Sequence, residues 1–135
     1  MTVQMNTAEV AAMTSDKVGL AEGTIVLTLR GEVAVEDLQA GDKIITRDIG
    51  AQPLRAVKCH DGKSAVVAKD SLGKNSPDRD MRVAPEQAFL IRGEAPSLIR
   101  ASKMAKAAVE NTKLYRLVFD RAHVIYADGA ELAIA

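Results

Sequence analysis

The side chains best suited to chemistry in this sequence are its single cysteine and its two histidines. Cys59 and His60 are neighbours in the chain, and His123 lies near its end. A thiol can act as a nucleophile or a metal ligand, and an imidazole can move a proton near neutral pH. Because adjacent residues of a strand point to opposite faces, Cys59 and His60 cannot easily bind one ion. We therefore interpret this pair as structural and His123 as a half-buried strand histidine bonded to a neighbour, with a catalytic or ligand role for His123 as the alternative.

The composition excludes several classes of function. The 18 basic residues are balanced by 18 acidic ones, so no overall field favours nucleic acid or an anionic membrane as a partner. Aromatic residues make up only 3% of the chain, too few for a base-stacking platform. A lone cysteine excludes an intrachain disulfide and a multi-cysteine zinc site, and we expect no metal or cofactor.

The length of 135 residues predicts a single domain. No apolar run reaches the length of a transmembrane helix, and residues 1–7 lack the basic start and apolar core of a signal peptide. The cytoplasm is therefore the default expectation for the location of this chain. Residues 1–18 stand outside the repeating strand pattern, and we interpret them as a leader that precedes a domain over residues 19–135.

Alternating apolar residues predict strands along most of the chain. Ile25, Leu27 and Leu29 alternate with smaller or polar residues, as in a half-buried strand, and residues 31–35 and 43–47 continue the pattern after glycine turns. Strands are also predicted at residues 54–60, 64–69, 88–91, 114–119 and 123–127, with Asp61-Gly62-Lys63 as a chain reversal. Leu114, Leu117 and Phe119 are predicted core residues.

One segment has the composition of a helix. Ser102 can cap it, good helix formers follow to Glu110, and Asn111 can end it. About ten short strands with turns at regular intervals nevertheless predict an all-β domain with this one short helix near residues 102–110.

Four short motifs then carry a resemblance to a known family. They are Gly23-Thr24, the Arg30-Gly31 turn, Val35-Glu36-Asp37-Leu38 and Gly41-Asp42. In this order and spacing they resemble the opening of a Hint domain, the autoprocessing module of Hedgehog proteins and inteins, and are most similar to its bacterial subfamily. The resemblance covers roughly residues 18–130 and implies the flat, horseshoe-like all-β Hint fold.

The resemblance also implies where the family's chemistry should lie, and there this sequence departs from it. The family's nucleophile, a Cys or Ser four residues before Gly-Thr, maps to Gly19, and its Pro-x-His histidine maps to Gln87. Arg116 replaces an Asp or His of the late segment, while His123 fits the final histidine in the intein register. In the bacterial subfamily's register that histidine falls on Ala122.

These departures predict a Hint domain that has lost autoprocessing and serves as a structural or protein-interaction module. Glycine cannot attack a carbonyl, and glutamine cannot shuttle a proton near neutral pH. The alternative is an active or residual self-cleaving domain that acts near Val18-Gly19. A protein or peptide, including the chain's own leader, is the expected partner, and the former active-site cleft is where it would bind.

Overall fold

The computed structural model describes residues 18–91 and 95–134. Residues 1–17 of the predicted leader (residues 1–18) lie outside these ranges, so the division into leader and domain stays a prediction. Val18, the first described residue, is buried. None of the helices in the described part of the chain is long and apolar enough to cross a membrane.

The described residues form twelve strands and two 3₁₀ turns. The strands are β1 (Leu20–Ala21), β2 (Ile25–Thr28), β3 (Gly31–Ala34), β4 (Lys43–Thr46), β5 (Gly50–Pro53), β6 (Ala56–Val67), β7 (Met81–Val83), β8 (Ala88–Ile91), β9 (Ser97–Arg100), β10 (Ala107–Val118), β11 (His123–Ala127) and β12 (Ala130–Ile134). The 3₁₀ turns are η1 (Val35–Asp37) and η2 (Ala101–Lys103). The predicted all-β class is confirmed.

The strands make two antiparallel sheets. Strands β1, β10, β6 and β7 close into a small barrel, and the second sheet has the order β3-β2-β4-β11-β12-β8-β9, with β5 paired to β4. One apolar cluster extends across both sheets; Leu20, Val83 and Leu117 come from the barrel, and Phe89 and Ile125 from the second sheet. The two sheets therefore share one core. The predicted core residues are all buried in the structure: Leu114, Leu117 and Phe119.

The predicted chain reversal at residues 61–63 is wrong. Strand β6 runs straight through Asp61-Gly62-Lys63, and each of the predicted halves pairs with β10 rather than with the other half. The irregularity lies on the partner strand, where the register shifts between Val109 and Thr112 and Asn111 has φ 53°. An Asp-Gly pair makes a hairpin only if its flanking segments pair together, and here β10 provides the hydrogen bonds instead.

The predicted helix over residues 102–110 is also wrong. Only Ala101–Lys103 forms a single 3₁₀ turn, and from Ala107 the chain is a strand opposite β6, with Ala107 facing Val66. Helix propensity differs among ordinary residues by only up to about 0.7 kcal/mol per position. Backbone pairing with a twelve-residue partner strand outweighs that preference.

The buried face of β2 is the opposite of the one predicted. Val26 is fully buried and Thr28 is nearly so, whereas Leu27 and Leu29 are 36% and 61% exposed. Val26 lies opposite Val33 of β3 and Ala127 of β11. The side of β2 that faces the core is fixed by these neighbours, so the larger apolar residues point outward.

Candidate functional site

Gly19, at the position of the family's nucleophile, is buried beside the barrel. Its carbonyl oxygen accepts a hydrogen bond from the Ala84 amide at 2.9 Å, and the next residue, Leu20, pairs with both Tyr115 and Val83. A Cβ atom at position 19 would lie 3.2 Å from Leu114 Cβ, 3.4 Å from the Tyr115 carbonyl oxygen and 3.5 Å from the His60 ring carbon Cε1. A side chain at this position would therefore face His60.

An open cleft of about 360 Å³ adjoins Gly19. It is lined mostly by apolar atoms, with one charged side chain of each sign, and its residues are His60, Gly62, Lys63, Ala84, Pro85, Glu86 and Leu114. The half-buried His60 belongs to this cleft, while its neighbour Cys59 is exposed. On the opposite face of the ribbon, where Tyr115 pairs with Cys59, partial burial raises the pKa of the Tyr115 phenol above its ordinary value, and Cys59 adds to this effect. The phenol is therefore neutral at physiological pH.

Sequence reasoning missed His60 as a member of this site. The signal was present in the strand period, because His60 and Gly62 share a face of β6 and both line the cleft. A chain reversal at Asp61-Gly62-Lys63 would place His60 and Gly62 on different elements, so the prediction of a reversal hid the face that they share.

Gln87, at the position of the family's proton donor, is fully buried, and hydrogen bonds from its side-chain amide hold it in place. Its Nε2 donates to the carbonyl oxygens of Ala133 at 2.8 Å and Ala88 at 3.2 Å. Within the described residues its Oε1 has no hydrogen-bond partner. Because Ala133 belongs to β12 and Gln87 precedes β8, this side chain links the two strands. The amide is therefore engaged in the second sheet.

His123 is also held by a specific partner. It is 3% exposed, its Nδ1 lies 2.8 Å from Asp48 Oδ2, and its ring meets the Phe119 ring edge-on at a centroid distance of 5.5 Å. The second oxygen of Asp48 accepts the Val124 amide at 3.3 Å. The Asp48–His123 pair thus fastens the turn between β4 and β5 to β11. Ala122, the alternative position in the bacterial register, is buried in an apolar cluster.

The four mapped positions are distributed over both sheets. Gln87 and His123 lie on either side of β12, since Ala88 pairs with Ala133 and His123 with Ile134. Two strand spacings separate them, about 10 Å. Ala84 forms backbone hydrogen bonds with both Gly19 and Gln87, and Arg116 is half-buried on β10 opposite Lys58. The side chain nearest to position 19 that can transfer a proton is therefore His60.

No metal centre is visible among residues 18–91 and 95–134, since no three His, Cys, Asp or Glu side chains there come together to hold an ion. The chemistry open to the cleft by Gly19 is accordingly that of an imidazole, one Lys and one Glu.

Comparison with known proteins gives consistent family evidence. A sequence model of the Hint domain matches residues 18–132. A comparison with functionally characterised proteins gives no significant sequence match.

Solved structures with the same fold include several inteins. The bacterial intein-like domain from Clostridium thermocellum has a TM-score of 0.65 at 16% identity, covering 89% of this chain and 99% of that one. The Ssp DnaB mini-intein variant M86 has a TM-score of 0.65 at 13% identity, with coverages of 90% and 99%. The gp41-1 intein has a TM-score of 0.60 at 16% identity, with coverages of 85% and 97%. At these identities the structural similarities establish the fold, and the sequence model establishes the family: this chain belongs to the Hint domain family.

Proposed function

We propose that this Hint domain has lost autoprocessing and acts as a structural or protein-interaction module. The observation that carries the proposal is the glycine at position 19, which has no side chain to attack the preceding carbonyl although an added Cβ would meet Leu114, Tyr115 and His60. Cleavage by acyl shift needs a nucleophile attached at that residue. Without one, the covalent path is absent whatever the remaining groups can do.

The position of the family's proton donor supports the same proposal. The Gln87 amide is fully buried and donates to Ala133 and Ala88. An amide has no titratable proton near neutral pH, and loss of a general acid typically costs about 10²–10⁴ in rate. This loss would add to that of the nucleophile.

Cys59 does not offer a replacement nucleophile. It is exposed on β6, and its neighbour His60 is the residue that faces position 19. Since successive strand residues point to opposite faces, the Cys59 thiol points away from the Val18–Gly19 peptide bond.

The first prediction concerns the intact chain. Purified protein incubated with dithiothreitol or hydroxylamine should keep its full mass of 14.4 kDa, because no thioester or ester can form at Gly19. Intact-mass spectrometry after prolonged incubation is the measurement. A fragment beginning at Gly19 would instead support the second candidate function, residual self-cleavage near Val18-Gly19 through water or another group of the cleft.

The second prediction concerns the module's partner. We propose that the cleft lined by His60, Pro85 and Leu114 binds an extended peptide. The cleft volume of about 360 Å³ is large enough for a few side chains of such a peptide. A synthetic peptide with the sequence of residues 16–21, titrated into labelled protein, should shift the amide resonances of Gly62, Ala84 and Leu114. Those of Ile49 and Leu29, exposed residues away from the cleft lining, serve as the reference. No selective shift at millimolar peptide would exclude this class of partner.

A further inference from the structure

We propose that His60 is the proton-handling side chain of the cleft beside Gly19, so that this domain lacks a nucleophile but retains a base next to the nucleophile's position. The inference rests on the proposed loss of autoprocessing and deepens it. It assigns the proton-handling role to His60 of β6 rather than to the residues at positions 87 and 123.

The first step is the distance. An ideal Cβ at position 19 would lie 3.5 Å from His60 Cε1. Cε1 is bonded to both ring nitrogens, so the basic nitrogen of His60 is one bond from the ring atom nearest to the added Cβ. A sulfur or oxygen atom attached to that Cβ can therefore reach the imidazole when its side chain points toward β6.

The second step is that the imidazole has no other engagement. The ring nitrogens of His60 make no hydrogen bond within residues 18–91 and 95–134. By contrast, the Gln87 amide is bonded to Ala133, and the His123 ring to Asp48. Of these three side chains, His60 is the one whose polar atoms are all free of hydrogen bonds to the described residues, so its whole ring is available to a group at position 19.

The third step is that position 19 can accept a small side chain. The Gly19 backbone does not have the left-handed conformation that excludes other residues, and the tightest contact of an added Cβ is 3.2 Å, to Leu114 Cβ. That neighbour would have to move by a few tenths of an ångström. A cysteine at this position is therefore a modest perturbation of the fold.

The reaction that follows from such a substitution is balanced without an oxidant. The thiol introduced by Gly19→Cys gives its proton to His60, and its sulfur attacks the Val18 carbonyl carbon. The C–N bond to residue 19 then breaks, and the imidazolium returns the proton to the departing nitrogen, leaving a thioester and a free amine. Added dithiothreitol, a thiol, exchanges with the thioester and releases the segment that ends at Val18.

The test is made in a Cys59→Ser background, where the introduced thiol is the only one in the chain. Gly19→Cys is compared with the same variant carrying His60→Gln, which keeps the size of the side chain but cannot be protonated. The rate of alkylation by iodoacetamide is measured against pH, and cleavage in dithiothreitol is followed by intact mass. The charged side chains that line the cleft, Lys63 and Glu86, are identical in both proteins.

We expect His60 to stabilise the thiolate and lower the thiol pKa by about one unit relative to the His60→Gln protein. Near neutral pH this gives about threefold faster alkylation, because the tenfold gain in thiolate is partly offset by its lower nucleophilicity. Dithiothreitol-dependent cleavage after residue 18 should be at least about tenfold slower with His60→Gln. Identical alkylation profiles and cleavage rates in the two proteins would overturn the role of His60.

A measurement on the natural sequence keeps the inference testable if Gly19→Cys does not fold. In two-dimensional NMR spectra the amide resonances of Gly19 and Leu114 should shift when His60→Gln removes the imidazole ring, whereas those of Ile49 and Leu29 should not. Absence of that response would contradict the contact. These outcomes are distinct from failure of the proposed function, which would appear as self-cleavage of the unmodified chain.

Discussion

Replacing Gly129 with alanine should destabilise the domain by about 3 kcal/mol, the largest effect expected of any glycine substitution in the described chain. Gly129 lies in the turn between β11 and β12 with φ +78°, and a Cβ there would lie 2.7 Å from the Asn75 carbonyl oxygen. Left-handed backbone strain costs about 1–2 kcal/mol for alanine, and the overlap with a backbone atom adds about as much. The loop around Asn75 must shift or the turn must open.

The loop cannot easily move away, because it is bonded to the same turn. The Asp78 amide donates to the Asp128 carbonyl oxygen at 2.7 Å, and Arg79 Nη2 lies 2.9 Å from the buried Asp128 carboxylate. The same carboxylate oxygen accepts the Ile25 amide at 3.1 Å. Displacing the loop would therefore weaken the start of β2 as well.

Gly50→Ala is the matched control for Gly129→Ala. Gly50 has the same φ of +78°, but an added Cβ there meets no atom within 4 Å. It should cost only the backbone strain, about 1 kcal/mol. Urea denaturation of both variants measures the difference, which we expect to be about 2 kcal/mol. Equal destabilisation would show that the contact with Asn75 contributes nothing.

Gln87→Glu should be at least as damaging as Gly129→Ala although it changes the size of the side chain very little. The substitution replaces the Nε2 donor with an oxygen that faces the Ala133 and Ala88 carbonyls. A buried charge with no partner is strongly unfavourable, and loss of the donor leaves an unsatisfied buried group, so we expect at least about 3 kcal/mol at pH 7. Thermal unfolding measured from pH 4 to pH 8 is the test.

The pH dependence of that variant has a definite sign. Burial without a cation raises the pKa of the introduced carboxyl above its unfolded value. The folded state then binds the proton more tightly, so the destabilisation is smallest below the unfolded pKa and grows as pH rises. Gln87→Met, which removes both the donor and the unpartnered Oε1, is the control and should cost about 1 kcal/mol. A Gln87→Glu protein as stable as the parent at pH 7 would contradict the structural role assigned to this amide.

Much of the fold could be predicted from local pattern. Strands 88–91 and 123–127 have the predicted bounds, and the Asp128-Gly129 turn has positive φ at both residues. These segments are short, apolar and bounded by turn residues, so local and tertiary preferences agree. The four motifs at the start of the chain also identified the family, which a sequence model matches over residues 18–132.

The failures lie where the partner strand decides the conformation. Residues 61–63 look like a turn and residues 102–110 look like a helix. All of the first segment and the second from Ala107 onward nevertheless belong to the β6–β10 ribbon, in which each strand has twelve residues. Nothing local in β6 indicates that β10 lies opposite. The same holds for β2, whose buried face is set by Val33 and Ala127 rather than by its own larger residues.

The candidate site could be mapped only as far as the family motif extends. Gly19 and Gln87 were located by their distance from Gly-Thr and by the Pro-x-His pattern, which needs no three-dimensional information. That His60, 41 positions further along the chain, faces Gly19 depends on the pairing of β1 and β6 with β10. Such a contact is a property of the sheet and has no counterpart in local sequence.

The central claim is that the domain does not cut its own backbone, and the intact mass of the unmodified chain tests it most directly. After prolonged incubation with dithiothreitol at neutral pH, we predict a single species at the full mass of 14.4 kDa. A pair of fragments separated between Val18 and Gly19 would contradict the claim.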